Sequence, residues 1–274
     1  MITVPVNENG PDMDMVEKLV AEDATIKGIW CVPMYSNPEG STYSDETVRR
    51  LANMKTLAKD FRIFWDNAYC VHHINDTPDT LLNIMDECKT AGNENRVFIF
   101  ASTSKITFSG AGVAVFACSE SNMKYLLKHI SIQTIGFDKI NQLRHLKYFK
   151  DVNGIYEHMK KHAKLMKPKF DTVLKNLDEK IDGLGIADWK NPNGGYFISL
   201  NVLNGCAKRV VALCKEAGVT LTPAGATFPY GKDPDDKNIR IAPSFPSLEE
   251  LQKATEVLCL AIKLASAEKM LESK

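Results

Sequence analysis

The chain has 274 residues, 44% of them apolar and 25% charged, which suits one large or two moderate globular domains and excludes a disordered or fibrous chain. Lys plus Arg and Asp plus Glu both number 34, so the net charge is zero. That balance argues against a nucleic-acid partner and for small-molecule ligands. Seven scattered cysteines form no CxxC pair, which argues against a metal framework and for buried, reduced thiols in a cytoplasmic protein. The N-terminus has no basic flank or apolar core of a secretory leader, and no apolar run is long enough to span a bilayer, so no membrane partner is expected.

In chain order, GIWCV (28–32) is a short apolar run ended by Pro33 and reads as a buried strand. A helix follows over 44–60, with Ser44 as N-cap and Val48, Leu51, Met54 and Ala58 near helical spacing. FRIFWD (61–66) predicts a second strand, 79–92 a helix, RVFIFAS (96–102) a third strand and GVAVFAC (112–118) a fourth. This alternation predicts a mostly parallel sheet covered by helices. From 119 to 178 the pattern is helical, with one helix near 121–130. A longer one runs from about Asn141 to Leu177, where Pro168 marks a kink or a start. This stretch is the predicted crossing between two domains, 1–150 and 151–274.

The last third reads as α+β. GGYFISL (194–200), GVTLTP (218–223) and NIRIAP (238–243) predict strands, and 206–218 a helix ending at Gly218. Ser247-Leu-Glu-Glu250 is a capping box that opens a final helix.

Four segments carry chemistry. Ser36-Asn37-Pro38-Glu39-Gly40, alone, is a turn. Asp66, in WDNAY, is either a helix N-cap or a carboxylate aimed into a cleft, able to hold a protonated ring nitrogen. Lys105, after Ser102-Thr103-Ser104, is flanked by apolar and small residues. Desolvation there would make its amine a nucleophile, and the serines can offer donors to a phosphate. Arg240, in an apolar strand, needs a carboxylate partner from the protein or from a substrate.

The order and spacing of these segments resemble the fold-type I pyridoxal-phosphate-dependent aminotransferases: Asn-Pro-x-Gly, Asp-x-x-Tyr, Ser-x-Ser-Lys, then a late arginine. Gly194-Gly195-Tyr196-Phe197 and the segment from Gly218 to Pro223 are similar to that family's small domain. WCVPMYSNPEG, WDNAYCVHH and STSKITFSGAGVA look most like a bacterial aspartate aminotransferase subgroup, which has been grouped with MocR-like regulators carrying an aminotransferase-like domain. The resemblance implies an α/β fold with a large cofactor-binding domain, parallel-rich in its sheet, and an α+β small domain. It implies pyridoxal 5'-phosphate as cofactor, amino acid and 2-oxo acid substrates, with aspartate favoured, and a homodimer.

Residue by residue, the resemblance gives Lys105 the cofactor linkage and the proton shuttle. It gives Asp66 the ring nitrogen, Asn37 and Tyr69 the ring's phenolic oxygen, Ser102 and Ser104 the phosphate, Arg240 the substrate carboxylate, and Asn37 a second contact with the substrate. Two departures accompany it. The family's phosphate-binding arginine, eight residues after the lysine, is Val113 here. Family members also begin well before this Met1, so the large domain is expected to be incomplete, to expose apolar surface and sheet edges, to associate, and to bind cofactor weakly. Other chemistry on the same fold, a regulator's ligand-sensing domain and an inactive fragment are the alternatives. His72 and His73 are expected at a partly exposed helix start. Asn141, Gln142, Arg144 and His145 are expected to be solvated, interdomain or substrate-facing, and Trp189 to be surface or rim.

Overall fold

The computed structural model describes residues 1–272. It opens with a two-residue hairpin, β1 (Val6–Asn7) and β2 (Gly10–Pro11), and a helix, α1 (Met13–Glu22), capped by the Asp12 side chain on Met15 N. The next elements follow the sequence pattern: β3 (Gly28–Cys31), α2 (Asp45–Asn53), β4 (Arg62–Asp66), α3 (Ile84–Thr90), β5 (Val97–Ser102) and β6 (Ala114–Cys118). Ser44 caps α2 as predicted, accepting a hydrogen bond from Thr47 N. Both helices are shorter than the sequence suggests. α2 stops at Asn53, and residues 79–83 before α3 are not helical.

These four strands form one sheet in the order β3-β4-β5-β6. The first three are parallel, and β6 runs antiparallel to β5, pairing Ser102 with Ala114. Alternation sends Ile63 and Trp65 into a core shared with Val16, Val48, Leu51, Ile84 and Val97. Phe64 and Asp66 point to the opposite face. There Trp30, Phe64, Phe98, Phe100 and Phe116 form a row of stacked rings, and Trp30 is 64% exposed.

The helical stretch holds α4 (Glu120–Gln133), α5 (Lys139–Phe149) and α6 (Val152–Lys180). The single helix predicted from Asn141 to Leu177 is therefore two. It breaks at Lys150, whose φ is 67°, and restarts with Asp151 capping Gly154 N. Pro168 neither starts nor ends a helix; α6 runs through it, anchored beyond it by buried Phe170, Val173 and Leu177.

The last third has a three-stranded antiparallel sheet, β7 (Ala187–Trp189), β8 (Ile198–Val202) and β9 (Asn238–Ile241), with α7 (Ala207–Glu216) and α8 (Leu248–Glu272). Gly218 takes φ +86° just past α7, a conformation suited to glycine. The Ser247–Glu250 capping box forms in both directions. Residues 218–223 are not a strand. Val219 and Leu221 pack from a loop onto the core of Phe170, Val173, Leu177, Leu200, Val210 and Ile262. Trp189 belongs to β7 and is partly buried at the rim of the same core. All seven cysteines are unpaired and five of them are buried. No helix among the described residues is long and apolar enough to cross a membrane.

Candidate active site

The parallel register aligns Cys31 with Trp65 and Asp66 with Phe100, so β3, β4 and β5 deliver their carboxyl ends to one edge. The loops leaving that edge carry Asn37, Tyr69 and Lys105. This is where open α/β sheets place ligands. Asp66 is the last residue of β4 and half-buried, and among the described residues no side chain or main-chain group hydrogen-bonds or pairs with its carboxylate.

Three residues on, Tyr69 is buried, and its phenol is pushed above the usual range, first by burial and then by the Asp66 carboxylate, against the opposing charge of Arg240. The Lys105 amine lies 5.2 Å from the centre of the Tyr69 ring. The apolar flanks of Lys105 predict a desolvated amine, but the residue is exposed. Its neighbours grip the main chain instead.

Arg240 projects from β9 of the second sheet. Its Nη1 donates to Asn37 Oδ1 at 3.0 Å and its Nη2 to Thr222 Oγ1 at 3.4 Å, and its guanidinium lies 4.5 Å from the centre of the Phe197 ring. Its Nε is buried without a partner, and no carboxylate among the described residues pairs with it. The carboxylate partner that an arginine in an apolar strand calls for is therefore not in the protein's described residues.

The Lys105 turn is fixed from several sides. Ser104 N donates to Ser102 Oγ at 3.4 Å. A Cβ at Gly112 would stand 2.6 Å from Ser104 Oγ, so glycine leaves room for that serine. Val113, at the position of the family's arginine, contributes main chain: its N–H donates to Thr103 Oγ1 at 2.8 Å and its carbonyl accepts from Thr103 N at 2.9 Å.

His72 is 4% exposed and lies in extended chain just after the turn at 68–71, not at a partly exposed helix start. Its Nε2–H donates to the Lys105 carbonyl at 3.2 Å, and the Tyr196 hydroxyl donates to the same oxygen at 3.1 Å. His145 is buried and hydrogen-bonded at Nε2 to Thr103 and Thr107 hydroxyls at 3.1 and 2.9 Å, and Asn141 Nδ2 donates to Ala111 O at 2.8 Å. Arg144 is exposed.

The structure thus joins Asn37 to Arg240, sets Lys105 beside Tyr69, places Asp66 and Arg240 within electrostatic reach of Tyr69, and pairs Ser102 with Ser104. Sequence reasoning assigned no role to Tyr196, Thr222 or Thr103 and set His72 aside. Thr222 and Tyr196 lie inside quoted segments, but only the tertiary fold brings them to Arg240 and Lys105.

The aspartate amino-transferase family model matches residues 1–274. The chain is 51% identical over 273 residues to a Mycolicibacterium smegmatis protein named as an aminotransferase, covering 100% of this chain and 64% of that one. It is 48% identical over 268 residues to the aspartate aminotransferase of Corynebacterium glutamicum, covering 98% and 62%. The crystal structure of an aspartate transaminase from C. glutamicum superposes with TM-score 0.96 at 48% identity, over 98% of this chain and 63% of that one. The α-aminoadipate aminotransferase of Thermus thermophilus, solved with N-(5'-phosphopyridoxyl)-L-leucine, shares the fold at TM-score 0.79 and 21% identity. The chain spans less than two thirds of the length of these relatives. The fold is the α/β type I fold of pyridoxal-phosphate-dependent aminotransferases, with a mixed sheet. Matched by one family model from end to end, and about half identical to a protein named as an aminotransferase and to an aspartate aminotransferase, this chain belongs to the aspartate aminotransferase family.

Proposed function

We propose that the chain bears the pyridoxal-phosphate site of an aminotransferase, which moves an amino group between an amino acid and a 2-oxo acid. The observation that carries this reading is a set of charged groups without ionic partners where the carboxyl edge of the first sheet meets β9 of the second. The Asp66 carboxylate, the Lys105 amine and the Arg240 guanidinium have no salt bridge among the described residues, and Arg240 Nε is buried and unsatisfied. Buried or half-buried charge left this way is costly unless a ligand completes it. The donor set fits this cofactor and a carboxylate substrate.

In this reading Lys105 would be the residue that links to the cofactor and, once displaced from it by the incoming amino group, would carry the proton at the substrate Cα. Asp66 pairs with the ring nitrogen and keeps it protonated. Asn37 and Tyr69 bond the phenolic oxygen. The Ser102 and Ser104 hydroxyls serve the phosphate, with no arginine at position 113 to share it. Arg240 takes the α-carboxylate in a bidentate grip, releasing Asn37. When bound, the cofactor supplies the electron sink for the electrons of the broken Cα–H bond. Aspartate as amino donor rests on the family likeness alone.

The same reading divides the chain at 150/151 into a cofactor-binding part and a C-terminal part, supported by the break between α5 and α6. It includes a homodimer, as the family implies, and a cytoplasmic location, supported by seven unpaired cysteines. The test supplies pyridoxal phosphate, aspartate and 2-oxoglutarate, and follows products by mass spectrometry. Glutamate should form, and Lys105→Ala should lower its rate by roughly 100-fold or more. Decarboxylated product, or equal turnover by the variant, would overturn the reading.

A further inference from the structure

We propose that His72 is a positioning residue for Lys105, and that its imidazole N–H, together with the Tyr196 hydroxyl, locks the Lys105 carbonyl and thereby aims the amine. The proposal rests on the reading of Lys105 as the working amine. A carbonyl oxygen only accepts, so the His72 nitrogen facing it must carry the proton. The other ring nitrogen, Nδ1, is buried with no partner. A neutral ring with its proton on Nε2 is the state this geometry selects, because a second proton on Nδ1 would be buried with no acceptor. Burial, the main cause, outweighs the bond to the Lys105 carbonyl and, with the Lys105 charge adding to it, holds the imidazole down to about 4, so it stays neutral at neutral pH.

His72 also joins three segments. Its own carbonyl accepts from Gly195 N at 2.9 Å, next to Tyr196, while its ring reaches the Lys105 turn. The rings of His72, Tyr69 and Tyr196 pack edge to face, with centroids 5.6 Å apart for His72–Tyr69, 5.2 Å for His72–Tyr196 and 6.1 Å for Tyr69–Tyr196. The Lys105 amine sits over Tyr69, one of those rings. With both acceptor positions of its carbonyl filled, residue 105 is held at its main chain while its side chain stays free to reach a ligand. This differs from activation by desolvation, because the exposed lysine is aimed and not buried.

The test compares His72→Gln, whose amide nitrogen can keep the donor, with His72→Phe, which keeps ring volume without it. Hydrogen–deuterium exchange is read at the Ile106 and Thr107 amides, both bonded to Thr103 O within the Lys105 turn. Melting temperatures of both variants guard against global unfolding. The proposal expects exchange at these amides about tenfold faster or more in His72→Phe and close to wild type in His72→Gln, with Tyr196→Phe giving a smaller increase, because exchange follows local opening. Borohydride trapping with pyridoxal phosphate should then label Lys105 severalfold less in His72→Phe, with His72→Gln restoring it. Unchanged exchange in His72→Phe, or equal acceleration in His72→Gln, would overturn the clamp. Should His72→Phe not fold, wild-type 15N histidine spectra decide: a proton on Nδ1 instead of Nε2 overturns the proposal. Wild-type label falling elsewhere than Lys105 would instead sink the reading of the amine, while the exchange data still decide the clamp.

Discussion

Arg240 is the residue whose surroundings give the proposed carboxylate site its most direct support. Neutral Asn37 and Thr222 hold two of its nitrogens, and the third is buried and unsatisfied. A lysine there would keep the charge but lose the planar fork. Arg240→Lys is expected to raise KM for the amino acid roughly 10- to 100-fold, the effect of about 1.5–3 kcal/mol from charged hydrogen bonds. Steady-state kinetics check this, and an unchanged KM would remove Arg240 from the substrate site. His72 gives a second prediction at this scale. Its folded form resists protonation down to about 4, whereas an unfolded histidine titrates near its ordinary 6.5. Between these values the unfolded chain binds the extra proton. The contribution to stability is therefore complete above 6.5 and lost as pH falls toward 4, on the order of 1–3 kcal/mol. Denaturant midpoints measured across that window should fall with acid, and His72→Gln should flatten the slope. The candidate site was legible here as an order of residue types. The hold on Lys105 was not, because a histidine 33 residues away in sequence reaches it only through the parallel register.

Elements were legible where one side chain decides a boundary. Ser44 and Ser247 each mark a helix start, and each forms the cap its spacing predicts. Ser44→Ala should cost about 1 kcal/mol, seen as a lower denaturant midpoint with an unchanged slope. No change would mean that tertiary packing alone sets the start of α2. Boundaries set by conformation or by partners were not legible. Lys150 breaks the long helix with a positive φ and no glycine to announce it. Pro168 is carried within α6 because buried Phe170, Val173 and Leu177 follow it. GVTLTP has strand composition, yet its apolar side chains pack as a loop while Thr222 turns to Arg240. The antiparallel sense of β6 is equally invisible in an apolar run, since direction depends on the connection and not on composition.

At the scale of the molecule, two apolar cores lie on either side of the site, one under the mixed sheet and one under the antiparallel sheet. Polar contacts cross between them at the site, including Ser199 Oγ to Glu39 Oε1 at 3.0 Å and Tyr196 to Lys105. The sheet face bearing Asp66 also carries the aromatic row, with Trp30 64% exposed on the edge strand β3. Exposed rings beside an open edge favour association. Sedimentation velocity should show mass rising with concentration, and Trp30→Glu should weaken that rise. A wild-type chain that stays monomeric at high concentration would contradict this.

In the proposed function Lys105 is the amine around which the site is built. The most direct measurement adds pyridoxal phosphate, records the visible spectrum, reduces with borohydride and maps the modified lysine by mass spectrometry. A new visible band with label confined to Lys105 is the predicted result. Label spread over surface lysines with Lys105 unmodified would contradict it.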